Sequence, residues 1–115
     1  MLELQDGGWR GNHPSSVVIP VALALGEAFG VSGKDFLTAV VAGYDVANRI
    51  CASVHPSHQL RGFTSTSTGG AFGAAATAGK LFGFDEDQHV DSLGIERVVN
   101  LRRLIQIVTT GRTIR

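Results

Sequence analysis

The strongest constraint on this chain is one stretch of helical periodicity. Phe36, Leu37, Val40, Val41, Tyr44, Ala47, Ile50, Cys51 and Val54 recur at steps of three and four, with Asp45, Asn48 and Arg49 between them. A stripe at that spacing belongs to an amphipathic helix that buries one face. Ser32 followed by Asp35 starts it, with Asp where Glu or Gln is usual, and Pro56 stops it, predicting a helix over 34–54. Pro14 ahead of an apolar run closed by Gly30 predicts another over 16–29. Pro20 there implies either a start near Ser16 or a kink. Val17, Val18, Val21, Ala22, Leu25, Ala28 and Phe29 cover more than one face, so this helix is expected to be buried.

A third helix is predicted over 69–82, ended by Gly83. Its small residues form columns, Gly69, Gly73 and Thr77 beside Gly70, Ala74 and Ala78, and such columns let another helix approach closely. Asp85 with Gln88 caps a fourth over 86–110, which Gly111 ends. The segments 1–12 and 55–68, rich in Gly, Ser, Thr and Pro, read as loops. No run alternates with period two. The expectation is an all-α fold of about four helices without a sheet, packed around Phe36, Val40, Tyr44, Phe72 and Leu81.

Composition narrows the partners. The chain is 43% hydrophobic and 17% charged, which favours a folded core over disorder. Its apolar content leans on Ala, Val and Gly, with one Trp and one Tyr, so stability must come from close approach of elements. At 115 residues such a domain is marginal unless it docks onto something. Ten basic and ten acidic residues cancel, so no nucleic-acid partner is expected. Arg97, Arg102, Arg103, Arg112 and Arg115 outnumber Glu96 near the end, a bias read as a solvated helix face. The single Cys51 leaves no internal disulfide, fits a reducing compartment, and reads as a small buried hydrophobe. The apolar run 17–25 is too short to span a bilayer, and no signal-peptide pattern opens the chain. No membrane partner is expected, and the expected location is the cytoplasm.

Two places carry polar chemistry. His13, beside Asn12 and after Glu3 and Asp6, stands directly before a helix, where an imidazole can act as a general base or simply cap and solvate. The run Arg61, Gly62, Phe63, Thr64, Ser65, Thr66, Ser67, Thr68, Gly69, Gly70 places hydroxyls ahead of a helix N-terminus. Unpaired N–H groups there favour a carboxylate, with Arg61 as a clamp, and a ligand-free capping loop is the plain alternative. Other leads close. Gly79-Lys80 is similar to a phosphate-binding loop, but Gly73 is one residue too far away and Leu81 replaces the hydroxyl. His55 and His58 flank Pro56 without a third metal ligand, so no metal site is expected. No G-x-S-x-G elbow occurs.

Taken in order, several stretches resemble the MmgE/PrpD family: Leu2-Glu3-Leu4-Gln5-Asp6, His13-Pro14-Ser15, Ile19-Pro20-Val21-Ala22-Leu23-Ala24 and Ala39-Val40-Val41-Ala42-Gly43-Tyr44-Asp45-Val46. Arg49-Ile50, Gly62-Phe63, Thr66, Thr68, Gly70, Phe72-Gly73-Ala74-Ala75-Ala76, Lys80-Leu81 and Leu93-Gly94-Ile95 continue the series. The resemblance is clearest over 1–95 and Val108-Thr109-Thr110-Gly111-Arg112 takes it up again, whereas 96–104 is charged and bulky where the family has small residues.

The resemblance implies a cofactor-free lyase, a dehydratase or decarboxylase of small di- or tricarboxylates such as 2-methylcitrate, usually a homodimer. It implies that the chain is part of the large helical domain of such a protein, with the α/β lid absent. Glu3 stands at an active-site acid and His13 at an active-site histidine; Arg61, Thr64, Ser65, Thr66 and Thr68 are expected to hold substrate. Two positions depart from the pattern. Gly7 stands where Thr can occur, and Thr64 where a second histidine is common. The chain reaches Arg115 just before an expected active-site lysine, which suggests a truncated or frame-shifted frame, inactive alone or docked to the missing part. The competing reading is a non-catalytic helical remnant or partner-binding module. The two readings part on whether the frame continues downstream into the lysine and lid.

Overall fold

The structure, a computed structural model, describes residues 11–110, with side chains described over 11–99 and at Leu101. Five helices follow one another: α1 (Ser15–Phe29), α2 (Gly33–Val54), the short α3 (Ser57–Leu60), α4 (Ser65–Phe82) and α5 (Glu86–Thr110). There is no strand among the described residues, so the fold is all-α as the periodicity implies.

The ends of these helices follow from local chemistry. The Pro14 carbonyl accepts from the Val18 amide at 2.9 Å and opens α1, which runs on through the exposed Pro20. Gly30, at φ 60°, closes it in a left-handed turn. At the start of α2 the Ser32 hydroxyl accepts from the Asp35 amide at 3.1 Å and donates to the Asp35 carboxylate at 2.7 Å. Asp85 and Gln88 cap α5 reciprocally, at 2.9 and 3.0 Å.

The stretch 55–68 departs from the loop expected there. Residues Ser57–Leu60 form a helical turn, and α4 begins at Ser65, not near residue 69. Ser67 explains the second difference: its hydroxyl donates to the Thr64 carbonyl at 2.8 Å. Hydroxyls that bond back to the preceding turn are compatible with a helix, although their type favours loops and caps.

The core also corrects the expectation. Phe36, Val40, Tyr44, Phe72 and Leu81 are only half-buried. The buried residues are small: Val18 and Ala22 on α1, then Ala39, Gly43, Ala47 and Cys51 on α2, at a strict spacing of four. Facing them on α4 are Gly69, Gly70, Gly73 and Thr77, with Ala76 and Gly79 also buried on that helix. A Cβ placed on Gly73 would stand 2.9 Å from the Gly43 carbonyl oxygen, so the two backbones nearly touch. Where helices meet at that distance no volume is left for rings, and the aromatic residues flank the seam instead.

Helix α4 thus sits centrally against α1, α2 and α5. The last packs through His89, whose ring meets Phe84 edge-on at 5.8 Å and lies under Gly79. Beyond that contact α5 exposes Val90, Ile95, Val98 and Leu101. No helix among the described residues is long and apolar enough to cross a membrane.

Candidate functional site

Three segments converge on the N-terminal end of α4. The first is 11–13, ahead of α1. Its His13 amide donates to Thr66 Oγ1 at 3.0 Å, across 53 residues of chain, and its carbonyl accepts from the Ser16 hydroxyl at 2.7 Å. The second is α3, joined to the first where Gln59 Nε2 donates to the Gly11 carbonyl at 3.4 Å. Gly11 takes φ 79°, a conformation that favours glycine, so the chain can turn there into Asn12. The third is the opening turn of α4 itself.

Thr64 is the N-cap of α4, yet its side chain caps nothing, and its carbonyl accepts from the Thr68 amide and the Ser67 hydroxyl. The opening N–H groups of α4 therefore lack a side-chain cap at the positive end of an 18-residue helix. His58 completes the arrangement. Its Nε2 lies 2.9 Å from Thr68 Oγ1, and its ring stacks on Phe63 with centroids 5.0 Å apart and planes at 26°.

The residues anticipated for this site separate into groups. His13, Thr66 and Thr68 come together at one helix end, half-buried. Thr64 and Arg61 are exposed, Arg61 as the C-cap that follows α3. Ser65 is 2% exposed, so its hydroxyl belongs to the interior rather than to the open end. Glu3 and Gly7 lie outside the described residues.

Beneath this surface is a polar layer that the sequence did not single out. Asn12 is 1% exposed and donates from Nδ2 to Asn48 Oδ1 at 3.0 Å. Cys51 Sγ donates to the Ser65 carbonyl at 3.3 Å. The available signal was spacing, since Asn48 and Cys51 are three apart on α2 and share a face. His58, ten residues before Thr68, offers no comparable signal, because its spacing from His55 points to metal binding and not to a hydroxyl partner.

Burial pushes the Cys51 thiol above its ordinary pKa, and the opposing effects of Asn12 and the Gly69 backbone are smaller. A protonated, buried thiol is a poor nucleophile. Iodoacetamide at neutral pH is therefore expected to leave Cys51 unmodified in the folded chain and to label it fully in urea. Rapid labelling without denaturant, followed by mass spectrometry, would refute this placement.

Chemically, the end of α4 offers an imidazole for proton transfer, hydroxyls, and N–H groups suited to a carboxylate. The profile of the MmgE/PrpD N-terminal domain matches residues 1–102. Among curated relatives, the cis-aconitate decarboxylase-like protein oryM of Aspergillus oryzae is 33% identical over 91 residues, covering 72% of this chain and 19% of that protein. Cis-aconitate decarboxylase of Aspergillus terreus is 32% identical over 89 residues, covering 72% and 18%. The human cis-aconitate decarboxylase is 32% identical over 99 residues, covering 82% and 21%. The chain thus spans about a fifth of the length of these relatives. No solved structure matches it.

Proposed function

The chain belongs to the MmgE/PrpD family, and from that premise we propose that the N-terminal end of α4 is part of a lyase site for small di- or tricarboxylates. The observation that carries the reading is the hydrogen bond from the His13 amide to Thr66 Oγ1, which holds an imidazole-bearing residue on the first turn of α4. Proton abstraction beside a carboxylate needs a base within reach of the proton and donors for the carboxylate that takes up the developing charge. His13 is the base in this reading. Thr66, Thr68 and the opening N–H groups of α4 hold the carboxylate, with Arg61 at the rim. Glu3 supplies a second acid by resemblance. The reading uses the chain's own side-chain and backbone groups, without a cofactor, and goes with a cytoplasmic homodimer.

Thr64 offers no titratable group, so the site is expected to bind better than it converts. Titrating the isotope-labelled chain with cis-aconitate should shift the amide signals of His13 and of residues 64–68, saturating in the millimolar range, about −4 kcal/mol of binding. Shifts scattered along α5, or none at high ligand, would remove the basis for the proposal. A second reading, a helical module that binds a protein partner, is favoured by the apolar residues Val90, Ile95, Val98 and Leu101 left exposed on α5. It predicts a partner-dependent loss of signal on α5 and no response to cis-aconitate.

A further inference from the structure

We propose that the outer face of α5 is a self-association surface, on which a second copy of this chain docks antiparallel about Gly94. The inference rests on the second reading above, a module that binds a protein through α5, and makes the chain itself that partner. Among the described residues of α5, the half-buried ones are His89, Ser92, Leu93 and Glu96. Steps of three and four put them on one face, which turns toward the bundle. The opposite face carries Val90, Gly94, Val98 and Leu101, and its three larger side chains are each more than half exposed. Asp91, Ile95 and Val99 join Val90, Gly94 and Val98 in lining a groove there.

Two observations select a second copy as the occupant. The first is the order of charge along the helix. Glu86, Asp87 and Asp91 precede Gly94, whereas Arg97, Arg102 and Arg103 follow it, against Glu96 alone. In an antiparallel pair crossing at Gly94, each residue meets the one equally far beyond the glycine. Asp91 then stands opposite Arg97, Val90 opposite Val98, and Glu86 opposite Arg102. The two-fold axis repeats every pair. A parallel pair would set acid on acid. The charged run 96–104 is also where the chain departs from the family pattern, so this face is its own.

The second observation is Gly94 itself. Glycine inside a helix costs stability relative to alanine. Nothing lies within 4 Å of a Cβ at this position, so packing within one chain does not call for glycine there. At a crossing point the missing side chain lets two backbones approach, as Gly43 and Gly73 do in the α2–α4 seam. The plain alternative is a solvated face whose charges follow the helix dipole, and it predicts a monomer at every concentration.

Sedimentation velocity of the 115-residue chain, with Asp91→Arg, Arg97→Asp and their equimolar mixture, separates the two. Wild type is expected to move from 12.1 kDa toward twice that mass, half-associated at about 100 µM, as suits a seam of one helix. Each variant alone sets like charges opposite one another, twice over by symmetry, and should associate about tenfold more weakly. Mixed, the two variants restore opposite charges at both pairs and should associate at least as well as wild type. Both positions are exposed, so the circular dichroism of each variant should match wild type. A wild type still monomeric at about 500 µM would overturn the proposal. So would a mixture that associates no better than its separate components. Either result removes the second copy as the partner, while the partner-binding reading fails only if no protein perturbs the α5 signals.

Discussion

Gly73→Val is expected to leave the chain largely unfolded at room temperature. A Cβ on Gly73 would stand 2.9 Å from the Gly43 carbonyl oxygen and 2.9 Å from Ala47 Cβ, with Val18 Cγ2 at 3.2 Å. Two of these neighbours are backbone or a Cβ fixed to it, so neither can swing aside. The packing is reciprocal, because a Cβ on Gly43 would meet the Gly73 carbonyl oxygen and Val18 Cγ1 at 3.0 Å and the Thr77 hydroxyl closer still.

Excess methylenes in a packed core cost about 1–3 kcal/mol where neighbours can shift, and more where they cannot. A domain of this size has about 5 kcal/mol to lose, so separating α2 from α4 is enough to unfold it. Gly94→Ala serves as the control. Nothing lies within 4 Å of a Cβ there, in the middle of α5, and the change should raise stability by about 0.5–1 kcal/mol. Urea melts followed by circular dichroism would decide; a Gly73→Val midpoint equal to that of wild type would mean that the α2–α4 seam is misplaced.

The second large effect is an absence of turnover. Incubated with cis-aconitate or 2-methylcitrate, the 115-residue chain is expected to consume neither above the uncatalysed rate. Catalytic groups that act as a unit lose most of their rate together, with losses on the order of 10⁶ when a central member is missing. Here position 64 holds a threonine, and the chain spans about a fifth of the relatives' length. Ligand binding survives such losses because each hydrogen bond contributes by itself, whereas proton transfer requires every partner in place. NMR of the substrate over hours, using protein free of host enzyme, would test this. Sustained consumption that disappears in His13→Ala would show the chain to be a complete catalyst.

Much of the local structure was written in the sequence. The stripe from Phe36 to Val54 specified α2, and the pairs Ser32 with Asp35 and Asp85 with Gln88 specified where α2 and α5 begin, because capping depends on side chains three residues apart. The glycine columns of α4 announced a close helix contact. Hydroxyl chemistry was the local exception, since Ser67 bonds back into the helix as readily as it would cap one, and α4 consequently starts at Ser65.

Which helix fills the columns was not legible. That α2 presents Ala39, Gly43, Ala47 and Cys51 to them, and that Phe36 and Phe72 stay half-buried beside the seam, is decided by how two backbones fit together. The same holds at the end of α4. The sequence nominated His13 and Thr66 separately, and resemblance supplied the reason to link them. Their hydrogen bond across 53 residues, and the pairing of His58 with Thr68, exist only because α1 and α3 are folded against the same helix end. Periodicity and capping act within a few residues, whereas a site assembled from three segments depends on packing between helices far apart in the chain.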